Sequence, residues 1–267
     1  FNEHGVSTIP PLLNSEGSPL SNVNGEFFAV FPYVPNKQYH GLPSNEAVAS
    51  AGENLARLHL AGANNLSLVN KFLKPWDKQA FLEDATRMLE LADAGTTSFD
   101  KMARKMLALK ITLAKNSKVS FEDLGLKNDT ILHGDYHTQN LFFDENDRVS
   151  YTFDFERTMI GPRTTDVANG LFMIGFDFTN EIKNAVSPVH FERAHSFIRA
   201  YNEVHPMRQD EFMNGLRWFF WSQLVYIKWP LDMHYFENDT RSDKFLPKRL
   251  NRLEYFSENF DATLDAF

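Results

Sequence analysis

Between residues 130 and 153 the chain changes its hydrophobic period twice. Thr130 to Leu132, Asn140 to Phe143 and Val149 to Phe153 read as short strands, and the turn "DENDR" joins the last two as a hairpin. On both sides the period is helical. Ser44 stands ahead of Glu46 and Ala47, and Val48, Leu55, Leu58 and His59 then recur at helical spacing, which predicts a helix over roughly 44–61. "DKQAFLEDATRMLELADAG" and "FDKMARKMLALKITLAKN" read as two more, the first stopped by Gly95. After Pro162 the pattern predicts helices over 166–182, 189–204, 209–229 and 247–266. The opening stretch, "PPLLNSEGSPLSNVNGEFFAVFPYV", has apolar pairs broken by Asn, Ser and Gly and reads as β. The expected architecture is therefore a small β-rich cap followed by a larger helical body that a short hairpin interrupts.

Composition narrows the partners. A formal charge of −8 argues against a nucleic-acid surface, which needs clustered Lys and Arg to displace counterions, and favours a cationic or small neutral partner. The chain has no cysteine, so disulfides and thiolate zinc sites are excluded, which suits a reducing cytoplasm. No apolar run approaches the roughly 20 residues that span a bilayer. The start lacks both the pattern of a secretory signal and a Met, so the chain is expected to be a fragment.

The window "ILHGDYHTQNLFFD", residues 131–144, holds two readings. As one strand it would project His133, Asp135 and His137 from a single face, a plausible divalent-metal set and the basis for a metallohydrolase. Gly134 and the turn-forming His137-Thr-Gln-Asn140 favour a loop instead. The loop reading gains content from its surroundings: Asp135, then Asn140 five positions on, then a hairpin, then Asp154 in "TFDFE". In kinase chemistry such a set supplies the aspartate that positions the attacking hydroxyl, and an asparagine and a second aspartate that hold magnesium.

"HGDYHTQN", "DFE" and "GPRTTDVA" together resemble the signatures of the aminoglycoside phosphotransferase, choline kinase and type II homoserine kinase superfamily. "GENLARLHLAG" at 52–62 is similar to that family's helix after the hinge and is nearest the homoserine kinase branch, as, faintly, is "LRWFFWSQL" at 216–224. The resemblance implies an α+β, protein-kinase-like two-lobe fold. Residues 1–37 would be the remainder of an incomplete N-terminal β lobe and its hinge, and 38–267 a mostly helical lobe carrying the catalytic loop and hairpin. It further implies Asp135 as the catalytic aspartate, Asn140 and Asp154 as magnesium ligands, and ATP held at the hinge by the backbone of Phe31, Pro32, Tyr33 and Val34. His133 and His137 would hold the loop's backbone and Asp166 would brace it; Glu156 would be a carboxylate near the metals or a structural acceptor. The family's nucleotide-covering loop, phosphate-binding Lys and its Glu partner have no counterpart, the first lysine being Lys37, so the chain is expected to begin at that lobe's fourth strand.

The acceptor implied is the hydroxyl of a small amino-bearing molecule, a homoserine-like amino alcohol first, an aminoglycoside or choline and ethanolamine next. Trp218, Trp221 and Tyr226 could offer π faces to a cationic amine and Asp232 a countercharge, although aromatic residues around a helix more often mean burial. A kinase-like module that binds nucleotide without turnover is the reading from another class.

Overall fold

The computed structural model describes all residues but 2–4, 41, 76, 176–187 and 226–227, and only the backbone at 188–189, 223–225 and 228. The chain divides into two compact units. The first comprises Phe1–Lys71, Asn128–Asp177 and Val189–Met207, the second Phe72–Lys127, Phe178–Pro188 and Arg208–Phe267.

In the first unit a hairpin of β1 (Ser21–Val23) and β2 (Glu26–Phe28) turns through Asn24 and Gly25, both at positive φ, which the right-handed twist of short hairpins requires. The rest of the opening stretch is irregular rather than β. Its Asn and Ser side chains close local loops: Asn14 Oδ1 accepts from the backbone N–H of Glu16 and Ser18, so the chain is satisfied without a ladder. Helix α1 (Asn45–Ala63) starts at Ser44, whose hydroxyl accepts from the Ala47 N–H. Gly52 on α1 lets a helix backbone pass close by, since a Cβ there would lie 2.2 Å from the carbonyl oxygen of Phe197. Phe197 belongs to α5 (Pro188–Val204).

Three-residue β3 (Thr130–Leu132) pairs antiparallel with β6 (Met159–Gly161), a strand the sequence pattern did not indicate because three residues are too few to display a period. A 3-10 turn (Thr138–Asn140) leads into β4 (Leu141–Phe143), which pairs with β5 (Val149–Thr152). Asn140 thus ends the turn and does not open the strand. Helix α4 (Arg163–Gly170) begins three residues earlier than the periodicity indicates and widens into a π turn over Leu171–Gly175; the expected continuation over 176–182 lies outside the described residues.

The second unit packs helix on helix. Phe81, Ala85, Met88 and Ala92 form the buried stripe of α2 (Lys78–Ala94), and Phe99, Ala103, Met106 and Leu107 that of α3 (Ser98–Asn116). Gly95 ends α2 in extended rather than left-handed backbone. It is needed for space: a Cβ would sit 2.2–2.5 Å from the carboxylate of Asp100, which caps α3 with Thr97. Of the expected helix over 209–229, α6 covers Gln209–Val225, and α7 (Lys228–Tyr235) follows, kinked at Trp229, whose φ and ψ are extended ahead of Pro230; residues 226–227 lie outside the described ones. Helix α8 (Leu246–Asp265) completes the unit, with Phe220 of α6 stacked on Phe260 at 3.8 Å.

At the β4–β5 turn Asp147 accepts from Ser44 Oγ (2.6 Å), Tyr39 Oη (2.7 Å) and Lys37 Nζ (2.9 Å). These donors, the Ser44 hydroxyl foremost, hold its carboxyl down to about 2. Because the folded value lies below the unfolded one, the stabilisation is whole above pH about 4 and is lost as pH falls toward 2. Urea midpoints followed from pH 5 to pH 2 should therefore fall more steeply for the wild type than for Asp147→Asn.

Candidate active site

Within the window of residues 131–144 the stretch 133–137 folds as a loop between β3 and the 3-10 turn that leads into β4, and its shape starts at Gly134. That residue stands at φ +83°, and a Cβ on it would lie 2.3 Å from the carbonyl oxygen of Arg157. The turn presents two successive backbone N–H groups to one carboxylate. Asp166, in the first turn of α4 and 1% exposed, accepts from His133 N (2.5 Å) through Oδ2 and from Gly134 N (3.1 Å) through Oδ1. His59 Nε2 lies 3.3 Å from Oδ2, and His59 Nδ1 lies 2.8 Å from the Tyr201 hydroxyl. A carboxylate only accepts, so the imidazole donates through Nε2, and a buried chain runs Tyr201–His59–Asp166–loop. The sequence places His59 in the core, and it is fully buried, but spacing alone did not show that it serves the carboxylate behind the loop.

The loop is tied as closely to the strand ahead of Asp154. Phe153 donates its N–H to the Asn140 carbonyl (2.9 Å), and its carbonyl lies 2.9 Å from His133 Nε2. His133 Nδ1 accepts from the Asp135 N–H at 3.3 Å. Both ring nitrogens of His133 are thereby engaged in the loop, which removes it from the metal-ligand set of the strand reading. Among the described residues no group of three His, Cys, Asp or Glu is placed to hold a metal. Past Phe153 the chain enters the left-handed region at Asp154, φ +63°. Such a conformation costs on the order of 1 kcal/mol and persists where surrounding bonds enforce it.

Asp135 is half-exposed, with Oδ1 3.8 Å from His137 Nε2 and Oδ2 3.7 Å from Arg157 Nε. His137 Nδ1 accepts from Gln139 N at the head of the 3-10 turn. Burial pushes the His137 imidazole below its ordinary value, and the charges of Asp135 and Asp154 oppose that shift. Asn140 is 7% exposed. Its Nδ2 donates to the Asp135 carbonyl (2.9 Å) and lies 3.3 Å from His137 Nε2. The first bond fixes which end of the amide is which, since a carbonyl cannot donate, and it leaves Oδ1 without a donor among the described residues. An amide oxygen and a carboxylate are the hard donors that suit magnesium.

The remaining candidates are spread more widely. Phe31 packs edge-to-face on Phe153 at 5.0 Å, and the backbone groups of Phe31, Pro32, Tyr33 and Val34 bond to no other described residue, with Tyr33 90% exposed. Glu156 is exposed and has no hydrogen-bond or ion-pair partner among the described residues. In the second unit Trp218 is 3% exposed, edge-to-face with Phe121 at 5.0 Å, a core position. Trp221 and Asp232 are partly buried on α6 and α7; Tyr226 lies outside the described residues.

Bonds at Phe153 thus link the loop that carries Asp135 and Asn140 to the segment past β5 that carries Asp154. The chain belongs to the phosphotransferase enzyme family APH, whose model matches residues 1–204. It is 24% identical over 212 residues to the homoserine kinase of Methylobacillus glycogenes, covering 78% of this chain and spanning 58% of that enzyme's length. Among solved structures it is similar to an aminoglycoside phosphotransferase from Alicyclobacillus acidocaldarius (TM-score 0.62, 17% identity), which covers 99% of this chain and 78% of that one. An amicoumacin kinase in complex with AMP-PNP, Ca2+ and Ami is similar at TM-score 0.60 and 12% identity, over 95% of this chain and 73% of that one. The fold is thus the α+β, protein-kinase-like one. No helix among the described residues is long and apolar enough to cross a membrane.

Replacing the brace tests the loop. In Asp166→Asn one carboxylate oxygen becomes a donor facing a backbone N–H, and a buried charge-assisted bond is lost. Urea unfolding should show a loss of about 1.5–3 kcal/mol.

Proposed function

We propose that this chain is an ATP- and magnesium-dependent phosphotransferase acting on the hydroxyl of a small, amino-bearing molecule, with a homoserine-like amino alcohol as the favoured acceptor. The observation that carries this reading is the pair of bonds at Phe153, which join the approach to Asp154 to the Asn140 carbonyl and the His133 ring, while the Asn140 amide spends its nitrogen on the Asp135 carbonyl. Family membership and the homoserine kinase similarity support the class and the acceptor. The complex of the amicoumacin kinase with AMP-PNP and Ca2+ supports a nucleotide and a divalent ion.

In this reading Asp135 orients the acceptor hydroxyl and takes its proton as the bond to phosphorus forms. Arg157 and His137 flank its two oxygens. Asn140 and Asp154 would hold magnesium, which would supply charge to offset that of the nucleotide's phosphates. The open backbone groups of Phe31 to Val34 would hold the adenine, and Asp166, His59 and Tyr201 keep the loop from yielding. Residues 1–37 then serve as the remainder of the β lobe and hinge, and 38–267 as the helical lobe. On the acceptor side Trp221 and Asp232 are the candidates for an amine; Trp218 contributes through packing.

A nucleotide-binding module without turnover is the second reading. Lys37, the first lysine in the chain, is engaged by Asp147 and Tyr39 at the β4–β5 turn and is not available to phosphates there.

ADP release measured against homoserine, an aminoglycoside and choline separates these readings; the proposal predicts magnesium-dependent turnover with the amino alcohol. Asp135→Ala should lower kcat by about 10²–10⁴ with the fold intact, while Asp154→Ala should weaken metal and nucleotide binding together. An Asp135→Ala chain that keeps most of its activity would overturn the assignment, and AMP-PNP binding without ADP release would establish the module.

A further inference from the structure

The family-like stretch on α1, "GENLARLHLAG", contains a residue that its pattern of Gly, Leu, Ala and His leaves open: Asn54. Its side-chain nitrogen lies 3.0 Å from Tyr136 Oη and 2.8 Å from Thr152 Oγ1. Both acceptors are fully buried. Tyr136 immediately follows Asp135 in the loop, and Thr152 ends β5, two residues before Asp154. An amide nitrogen has two hydrogens, so this one group spends both, one on each half of the candidate site.

The ends it joins are fixed in turn. Tyr136 donates its hydroxyl hydrogen to the Ala51 carbonyl at 2.8 Å, so the phenol gives one bond to α1 and receives one from it. The Tyr136 carbonyl accepts from Asn169 Nδ2 of α4 at 3.1 Å. Thr152 donates its backbone N–H to Ser7 O at 2.9 Å. With Tyr136 anchored on α1 and Thr152 in the strand, Asn54 is a side chain that spans from the loop of Asp135 to the end of β5, two residues ahead of Asp154. Phe153 makes a second link, its N–H on the Asn140 carbonyl and its carbonyl against the His133 ring.

We propose that Asn54 is a positioning residue: it sets the separation between Asp135 and the Asn140 and Asp154 pair, and through it the fit of the divalent ion to the phosphates. This rests on the phosphotransferase reading. It needs a donor, not merely a side chain of that volume, because its two acceptors are buried hydroxyl oxygens. Leucine is close in size and donates nothing.

The test compares Asn54→Leu with the wild type in kcat, acceptor KM and the magnesium concentration giving half-maximal rate, alongside the melting temperature. Glu53→Gln, one residue away on the same helix, serves as the control. The expected result is a kcat lowered about 10- to 100-fold and a several-fold higher magnesium requirement, with acceptor KM nearly unchanged, because misplacement of this order acts on the reacting geometry. Thr152→Val, which removes only the strand end of the link, should move the same two quantities in the same direction. Combined with Asn54→Leu it should cost less than the sum of the two. If Asn54→Leu does not fold, Thr152→Val alone decides. A chain whose melting temperature falls while kcat and the magnesium requirement stay put overturns the inference, as do additive effects. A wild-type chain without turnover removes the phosphotransferase reading and this inference with it; an active wild type matched by its variants removes the inference alone.

Discussion

The candidate site depends on one buried carboxylate. Asp166 takes two consecutive backbone N–H groups of the turn at His133 and Gly134, which would otherwise be costly to bury. The charge is tolerable because every close neighbour donates: two amides and an imidazole, the latter held in place by Tyr201. Four elements meet in this arrangement, since His59 comes from α1, the loop follows β3, Asp166 comes from α4 and Tyr201 from α5. What looks like a polar irregularity in the chain is a centre on which the first unit's helices and its β3–β6 pair are registered.

From that anchor the geometry propagates along the backbone. The His133 ring reaches Phe153 and the Asn140 carbonyl receives the Phe153 N–H, so the chain arrives at Asp154 with both backbone groups of the preceding residue already committed. The left-handed backbone at Asp154 is then enforced rather than chosen. Phosphoryl transfer asks little covalent chemistry of a protein and much alignment, so a site whose oxygen donors are fixed by backbone bonds instead of by long flexible side chains suits it. Phe155 adds an apolar backing: it lies 4.8 Å from the His133 ring and packs with Phe1 against Val6, Leu58 and Ala61.

Much of this was legible in the sequence, for reasons that differ by element. The helices of α1, α2 and α3 were readable because their buried stripes run for several turns and Ser44, Asp77 and Thr97 cap them with side chains that favour that position. The β4–β5 hairpin was readable from its turn. Strand β6 was not, since three residues pair with β3 only because the intervening chain brings them back. The opening stretch misled because Asn14 and Ser18 serve loops as readily as hairpins. At the site, the spacing of Asp135, Asn140 and Asp154 pointed to a chemistry, but the links between their segments run through the backbone of Phe153, the His133 ring and the side chain of Asn54, and neither a bond to backbone nor a donor at an unassigned helix position leaves a trace in residue spacing. Gly95 was read as a terminator and is one, but through the room it gives the Asp100 carboxylate.

The account turns on whether the oxygens of Asn140 and Asp154 share a divalent ion. Mn2+ bound with AMP-PNP, followed by electron paramagnetic resonance, measures this without turnover. The account predicts that Asn140→Leu and Asp154→Asn each weaken Mn2+ binding at least tenfold and that the double variant is little worse than either. Mn2+ binding that both single variants leave unchanged would contradict it.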